Sequence, residues 1–369
     1  ADFNRAIDLN EEYTWAFAYR GLIYRLLENY EAALADFNRA IELDDTLAWV
    51  YGERGETHRL LENYEAALAD FNCAIRLDDT LAWIFRSRGI TYRLIGNYKA
   101  SLTEFNRTIE LDEEYAGAFA SRGETYRLME NYEAALADFN RALDLDEEYI
   151  WAYESRGQTY GQMGDYKAAL ADFDHALDLD ETSAWAFGGR GEAYRLLRNY
   201  EAALINFDRA LELDDTADWA FGGRGQTYRL MNNYQAALSD FNRAIELDPN
   251  EDWYFYNRGL VYRLINSPEK YTQDLNKAIN IAKGTLAKKP QNERIPFNLA
   301  LYHLVIGRKE LAEQLYIEVL NKSISIYKLQ AAIEDLDEFL HHYPTYTEAL
   351  KIRTQLQQKL NEYKNQSEI

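Results

Sequence analysis

Between Thr14 and Asn29, apolar and small residues recur at helical spacing. Phe17, Gly21 and Tyr24 form one stripe, and Trp15, Leu22 and Leu26 form another. Two apolar stripes predict a helix packed on both sides. Asn29-Tyr30 breaks the pattern. From Glu31 to Leu43 a second helix is predicted, with Ala33, Leu34, Phe37, Ala40 and Ile41 on one face. Gly21 and Ala33 are small enough for the two helices to approach closely, and Phe37 fills the space beside Ala40. Asp44-Asp45-Thr46 ends the unit. Acidic residues suit a helix start, so this triplet is expected to cap the helix that follows.

The unit then recurs. Gly21, Gly55, Gly89, Gly123, Gly157, Gly191, Gly225 and Gly259 sit 34 residues apart without a slip. A fixed period of this length predicts a solenoid, in which each unit buries its apolar face only against its neighbours. Residues 1–13 read as the second half of a truncated unit, because Ala1–Ile7 matches Ala35–Ile41 at the same offset. With no initiator Met, the chain is expected to be a fragment of a longer protein. Residues 14–285 hold eight full units. Periodicity weakens after Asn266, where a helix is expected to run on to about Lys289 and Pro290-Gln291-Asn292 to form a turn. Residues 286–369 read as degenerate units with a capping helix. Ala300, His303, Gly307, Ala312, Tyr316 and Val319 mark a ninth unit. Ala332, Leu336, Phe339 and Pro344 mark half of a tenth, and a closing helix follows from Thr345.

A helix–turn–helix of this period resembles the tetratricopeptide repeat (TPR), whose pattern runs aromatic-x2-Leu-Gly-x2-Tyr, then Ala-x3-Phe-x2-Ala, then Pro. Phe17, Gly21, Tyr24, Ala33, Phe37 and Ala40 match it, and the match recurs in eight consecutive units. The resemblance implies an all-α fold, a right-handed superhelix (α-solenoid) of antiparallel helix pairs. Two departures stand out. Arg20 occupies the Leu position, and the closing Pro is usually Asp or Glu, with Pro249 the exception. The near-identical Asn-Tyr-Glu-Ala-Ala-Leu runs resemble the TPR arrays that form the sensor regions of bacterial STAND-type multidomain proteins. That resemblance implies a cytoplasmic sensor whose ligand switches an effector domain.

The arginine departure is itself periodic: Arg20, Arg54, Arg88, Arg122, Arg156, Arg190, Arg224 and Arg258. Spacing puts Arg20 on a packing face between Phe17 and Tyr24. A buried guanidinium needs a carboxylate. Asp36 on the inward face of the second helix is the expected partner, and its equivalents are Asp70, Glu104, Asp138, Asp172, Asn206, Asp240 and Asp274. The reading is a structural ladder, with one rung weakened at Asn206.

In TPR arrays the first helix of each unit lines a concave groove, so the resemblance places a second set of residues there. Every tryptophan falls at one of these positions: Trp15, Trp49, Trp83, Trp151, Trp185, Trp219 and Trp253, with Gly117 in the remaining unit. Arg25, Arg59, Arg93, Arg127, Arg195, Arg229 and Arg263 fill another, with Gly161 the exception. Glu56, Glu124 and Glu192 lie between, and Ala18, Gly52, Gly188 and Gly222 leave room beside the indoles. Trp and Arg are enriched at binding hot spots, and Arg stacks on Trp. One reading makes this a ladder of anchors for a protein or peptide ligand. The other has each Trp packing on the neighbouring unit and each Arg pairing with a nearby Glu. Both stand at this point. The carboxylate clamp and the asparagine ladder of other TPR arrays find no match, Asn257 being the lone candidate for the latter.

Charge narrows the partners. The formal net charge is −22, and residues 268–369 are near neutral, so the repeats carry about −23. That field disfavours nucleic acid and anionic membrane surfaces. Cys73 is the only cysteine, so no internal disulfide exists. No phosphate-cradling loop, calcium loop or zinc pattern is present, and no apolar run is long enough for a membrane span. His341-His342 reads as a solvated helix end. No cofactor, metal or catalysis is expected. The leading reading is protein recognition. The alternatives are a passive assembly or self-association scaffold, and a substrate-delivery arm of an enzyme whose catalytic domain lies upstream.

Overall fold

The computed structural model describes residues 2–289, 292, 294–322 and 324–367, with side chains to residue 365. The expected turn residues Pro290 and Gln291 lie outside them. The described residues form 21 α-helices and no strand. After α1 (Asp2–Leu9), eight antiparallel pairs follow. Their first helices are α2 (Thr14–Leu26), α4 (Ala48–Leu60), α6 (Ala82–Leu94), α8 (Ala116–Leu128), α10 (Ile150–Met163), α12 (Ala184–Leu196), α14 (Asp218–Leu230) and α16 (Asp252–Leu264). Their second helices are α3 (Tyr30–Leu43), α5 (Tyr64–Leu77), α7 (Tyr98–Leu111), α9 (Tyr132–Leu145), α11 (Tyr166–Leu179), α13 (Tyr200–Leu213), α15 (Tyr234–Leu247) and α17 (Pro268–Lys288). Then come α18 (Arg294–Val305), α19 (Lys309–Leu320), α20 (Ile326–His342) and α21 (Thr347–Ser367). The chain divides within α10 into two compact units, 1–156 and 157–369.

The turn inside each pair has one design. Tyr24 and Arg25 carbonyls accept from Asn29 N–H and Glu28 N–H, which is a Schellman closure with Glu28 in the left-handed region at φ 60°. The same position holds Glu62, Gly96, Glu130, Gly164, Arg198, Asn232 and Asn266, all at positive φ. The next residue, Asn29, immediately caps α3 by accepting from Ala32 N–H at 3.3 Å. One helix therefore ends and its partner begins within three residues, which sets the tight antiparallel pairing.

The turn between pairs departs from expectation. Asp44 does not cap α4. Its carboxylate turns back on its own loop and accepts from the Thr46 backbone at 3.0 Å and hydroxyl at 2.6 Å. The residue at the N-cap position is Leu47, which makes no side-chain cap and packs instead with Ala18, Ala33 and Phe37. An Asx-type turn satisfies the aspartate locally and leaves the cap position free for an apolar contact. Asp78, Asp180 and Asp214 repeat the arrangement with Thr80, Thr182 and Thr216.

Packing within a pair depends on the periodic glycine. A Cβ on Gly89 would lie 2.7 Å from the Phe105 ring, which has no exposed surface. Phe37, Phe71, Phe139, Phe207 and Phe241 are buried in the same way against their own glycines. Small local clusters result, such as Ala33, Phe37, Ala40 and Val50, each shared between adjacent pairs. In the second unit a larger apolar core gathers α16 to α21, including Tyr302, Tyr316, Leu336 and Leu356.

The arginine ladder is present in both units. Arg122 grips Asp138 with two nitrogens at 2.8 and 2.7 Å, and Arg20, Arg54, Arg224 and Arg258 repeat that fork on Asp36, Asp70, Asp240 and Asp274. Arg88 places two nitrogens on one Glu104 oxygen, and Arg190 bonds neutral Asn206. Each ladder arginine also has a second acceptor that the sequence reading did not assign. The remaining nitrogen reaches back 16 residues to the previous pair, as Arg122 does to Asn106 and Arg224 to Asp208. One guanidinium thus ties two consecutive second helices together.

Candidate functional site

In the first unit the first helices α2, α4, α6 and α8 present the tryptophan and arginine positions side by side. No tryptophan in the chain is buried. Trp15 and Trp185 are exposed, and the other five are half-buried. Trp15 stacks on Trp49 at 5.9 Å between ring centroids, with Tyr19 against both. Trp83 lies over Gly52, where a Cβ would come within 2.4 Å of the indole. Trp151 packs with Tyr149 against the α9 cluster. In the second unit Trp219 and Trp253 lie over Gly188 and Gly222, and Trp185 meets Trp219 edge-on at 5.2 Å. Gly52, Gly188 and Gly222 are the seats of the next repeat's indoles.

The Gly117 exception has a structural partner. Where the preceding repeat has Ala18, Gly52, Ala120, Gly188 or Gly222 before a tryptophan, it has Arg86 before Gly117. The Arg86 Nε donates to Gly117 O at 3.0 Å and Ser121 Oγ at 3.1 Å, and its guanidinium lies over Tyr115. Large and small have changed places across the same contact.

The arginines of the site sort by what stands three residues before them. Where that is glutamate, the pair closes on itself: Arg59 with Glu56 at 2.6 Å, Arg127 with Glu124 at 2.7 Å and Arg195 with Glu192 at 2.5 Å. Where it is not, the arginine reaches elsewhere. Arg25, following Leu22, pairs with Glu53 of the next unit at 2.8 Å. Burial pushes the Glu53 carboxyl up against the opposing pull of Arg25. Arg263, following Leu260, donates to Val305 O and the Tyr271 hydroxyl at 3.1 Å each, and lies over the Tyr343 ring at 4.0 Å.

Arg229, following Gln226, has the most consequential partner. It is fully buried and paired with Glu338 of α20. Gln226 donates to the same carboxylate at 3.0 Å. The flank of α20 therefore rests on the first-helix face of the second unit, while its apolar stripe (Leu329, Ala332, Ile333, Leu336) packs into the C-terminal core. Burial pushes Glu338 up, but Arg229 and Arg195, with hydrogen bonds from Arg229 and Gln226, outweigh it and hold the carboxyl below its ordinary value. No period in the sequence links residues 229 and 338. The only signal was an acidic helix, Glu334-Asp335-Leu336-Asp337-Glu338, at the end of a strongly repeated arginine array. His341 is exposed, as expected of a solvated end, but His342 is half-buried.

Arg93 is the one left over. Ile90 stands in the glutamate position, and no ion pair to Arg93 is present among the described residues. Its Nη1 is sealed from solvent without a hydrogen-bond partner. Burial pushes the guanidinium below its ordinary value. Glu124 opposes this, and Arg86, Arg127 and Arg59 add to it.

No described helix is long and apolar enough to cross a membrane, and the described residues hold no cluster of three or more His, Cys, Asp or Glu fit for a metal. Family models described as TPR repeat and tetratricopeptide repeat match residues 123–164, 14–47, 219–251, 152–183 and 186–216. No curated protein matches the sequence. Among solved structures, a chain of the APC/C hetero-tetramer Cut9–Hcn1 is similar at TM-score 0.60 and 16% identity, over 76% of this chain and 55% of that one. This chain thus spans about half the length of that relative. A tetratricopeptide repeat protein from Parabacteroides merdae is similar at TM-score 0.53 and 20% identity, over 63% of this chain and 93% of that one. pilF of Pseudomonas aeruginosa is similar at TM-score 0.50 and 17% identity, over 57% and 96%. The chain carries tetratricopeptide repeats and has the TPR solenoid fold, a scaffold that generally mediates protein–protein interaction.

Proposed function

We propose that the first-helix face of these repeats recognises a protein or peptide ligand, as the sensor part of a larger bacterial protein, without catalysis of its own. The half-open indoles and the spaced guanidinium groups supply anchors of the kind that dominate binding energy. The observation that carries the reading is α20. A helix of this very chain lies with its acidic flank on Arg229 and Gln226, so the face already accepts a helix. The exposed indole of Trp185 stands on the first helix α12 of the second unit, and the paired Arg59 stands on the first helix α4 of the first unit.

The test is partner capture from an extract of the source cells with the full chain as bait. Trp185→Ala and Arg59→Ala are expected to reduce capture of the principal partner at least ~10-fold, the scale of a hot-spot truncation. Arg39→Ala changes an exposed second-helix pair with Glu42 and is expected to leave capture intact. Loss on Arg39→Ala with retention in both first-helix variants would move recognition to the other face.

A further inference from the structure

We propose that the third repeat of the first unit, through Arg93 and Arg86, binds a glutamate- or aspartate-bearing helix of a partner protein. The inference rests on the recognition reading above and names the chemistry of the ligand. Three observations lead to it.

The first is the pairing rule along the array. Glu56, Glu124 and Glu192 neutralise their own arginines within one helix turn. Where the repeat omits that glutamate, the guanidinium takes its partner from another segment: Glu53 for Arg25, Val305 O and Tyr271 for Arg263, and Glu338 for Arg229. Arg93 is the member of this second group with no such partner among the described residues, because Ile90 withholds the local carboxylate. A half-buried guanidinium whose nearest carboxylate, Glu124, is already paired with Arg127 costs stability, and the cost is removed when a further carboxylate arrives.

The second is the local field. Arg59, Arg86, Arg93 and Arg127 act on one another here, with Glu56 and Glu124 as the balancing carboxylates. The patch is cationic within repeats that carry about −23 overall. Arg86 spends its Nε on Gly117 and Ser121, and no carboxylate is given to it among the described residues. A ligand carrying two acidic residues one helical turn apart would meet both cations, and a nucleic acid would face the acidic repeats on either side.

The third is the precedent inside the molecule. Arg229 is the equivalent of Arg93 four repeats later, and it too lacks a glutamate at the preceding turn, having Gln226. The chain supplies that missing carboxylate from an acidic helix, α20. The occupant inferred at Arg93 has the same chemistry. A second copy of this chain is not the occupant, because its Glu338 is already engaged with its own Arg229.

The probe is a fluorescein-labelled peptide of residues 326–342, titrated against the full chain by anisotropy. A second peptide replaces Glu334, Asp335, Asp337 and Glu338 with their amides. The acidic peptide is expected to bind saturably and more weakly as salt rises, and the amide peptide at least ~10-fold more weakly. Arg93→Gln and Arg86→Gln are each expected to lower affinity for the acidic peptide at least ~10-fold, and Arg107→Gln, on the exposed second helix, to leave it unchanged. The free Arg93→Leu chain is expected to melt above the wild type, since it loses a buried cation with no partner. This shows that lost binding is not lost folding. Equal binding of both peptides, no binding to the wild type, or undiminished binding to Arg93→Gln overturns the proposal. So does a wild-type dimer in sedimentation that Arg93→Gln disperses, which would assign the site to a second copy. Partner capture lost on Trp185→Ala but kept on Arg93→Gln would sink this inference alone and leave the recognition reading standing.

Discussion

Glu338→Leu is expected to destabilise the second unit by about 3–5 kcal/mol, because it strands Arg229 in a site with no solvent access. The leucine cannot accept from Gln226 either, so a second buried donor loses its partner. The remaining acceptor near Arg229, Asn257 Oδ1, is 3.4 Å away, and the side chain is held in place by its Nδ2, which donates to Trp253 O at 3.0 Å. The effect should be confined to the second unit, read as faster amide exchange in α20 and in α14, with α4 and α6 unchanged. Arg229→Leu combined with Glu338→Leu should recover most of the loss, since two apolar side chains replace the ion pair. The pH dependence follows from the direction of the Glu338 shift. Its carboxyl is held below the ordinary 4.5, so its stabilisation is complete above that value and disappears as pH falls through the lowered folded value. Urea midpoints of wild type and Glu338→Leu should therefore differ most near neutrality and converge in acid. A constant difference down to strongly acidic pH would mean that the carboxylate charge contributes nothing to the docking.

Arg122→Met is expected to cost the first unit about 3 kcal/mol, close to the lower end for breaking a buried ion pair. The variant leaves Asp138 with about a tenth of its side chain exposed (8%) and no guanidinium, and frees Asn106 of the previous pair. Arg190→Met provides the comparison. Its inner partner is Asn206, whose amide is satisfied by Ala202 O at 2.8 Å, and its outer partner Asp174 is half exposed. That substitution strands no buried charge, so about 1 kcal/mol is expected, the scale of a neutral hydrogen bond. Urea denaturation of the two variants gives the ratio directly. Equal losses would show that the ladder acts through packing of the arginine stem and not through the carboxylates.

The period carried a large part of this fold. Tightly opposed helices at Gly21 and Phe37, and the pairing of Arg20 with Asp36, follow from residues 16 apart that share a register in every unit. What stayed hidden has physical reasons. Asp44 looked like a helix cap because aspartate before a helix usually is one, but Thr46 offered it two nearer donors. The left-handed residue closing the first helix is glutamate in some units, asparagine or glycine in others, so composition did not mark it. The exchange of Arg86 for Gly117 is visible as two separate exceptions 31 residues apart, and only the packed contact shows that they compensate. At the candidate site the tryptophans lie on the first helices as their spacing implied, with Trp83, Trp219 and Trp253 over the glycines of the preceding repeat. The docking of α20 depends on a pairing 109 residues apart with no repeat to announce it.

Amide exchange of the full chain with and without the acidic 326–342 peptide measures the central claim most directly. The account predicts protection concentrated in the first helices α6 and α8 around Arg93 and Arg127, with the outward second helix α7 unchanged. Protection of α7 with α6 and α8 unaffected would contradict it.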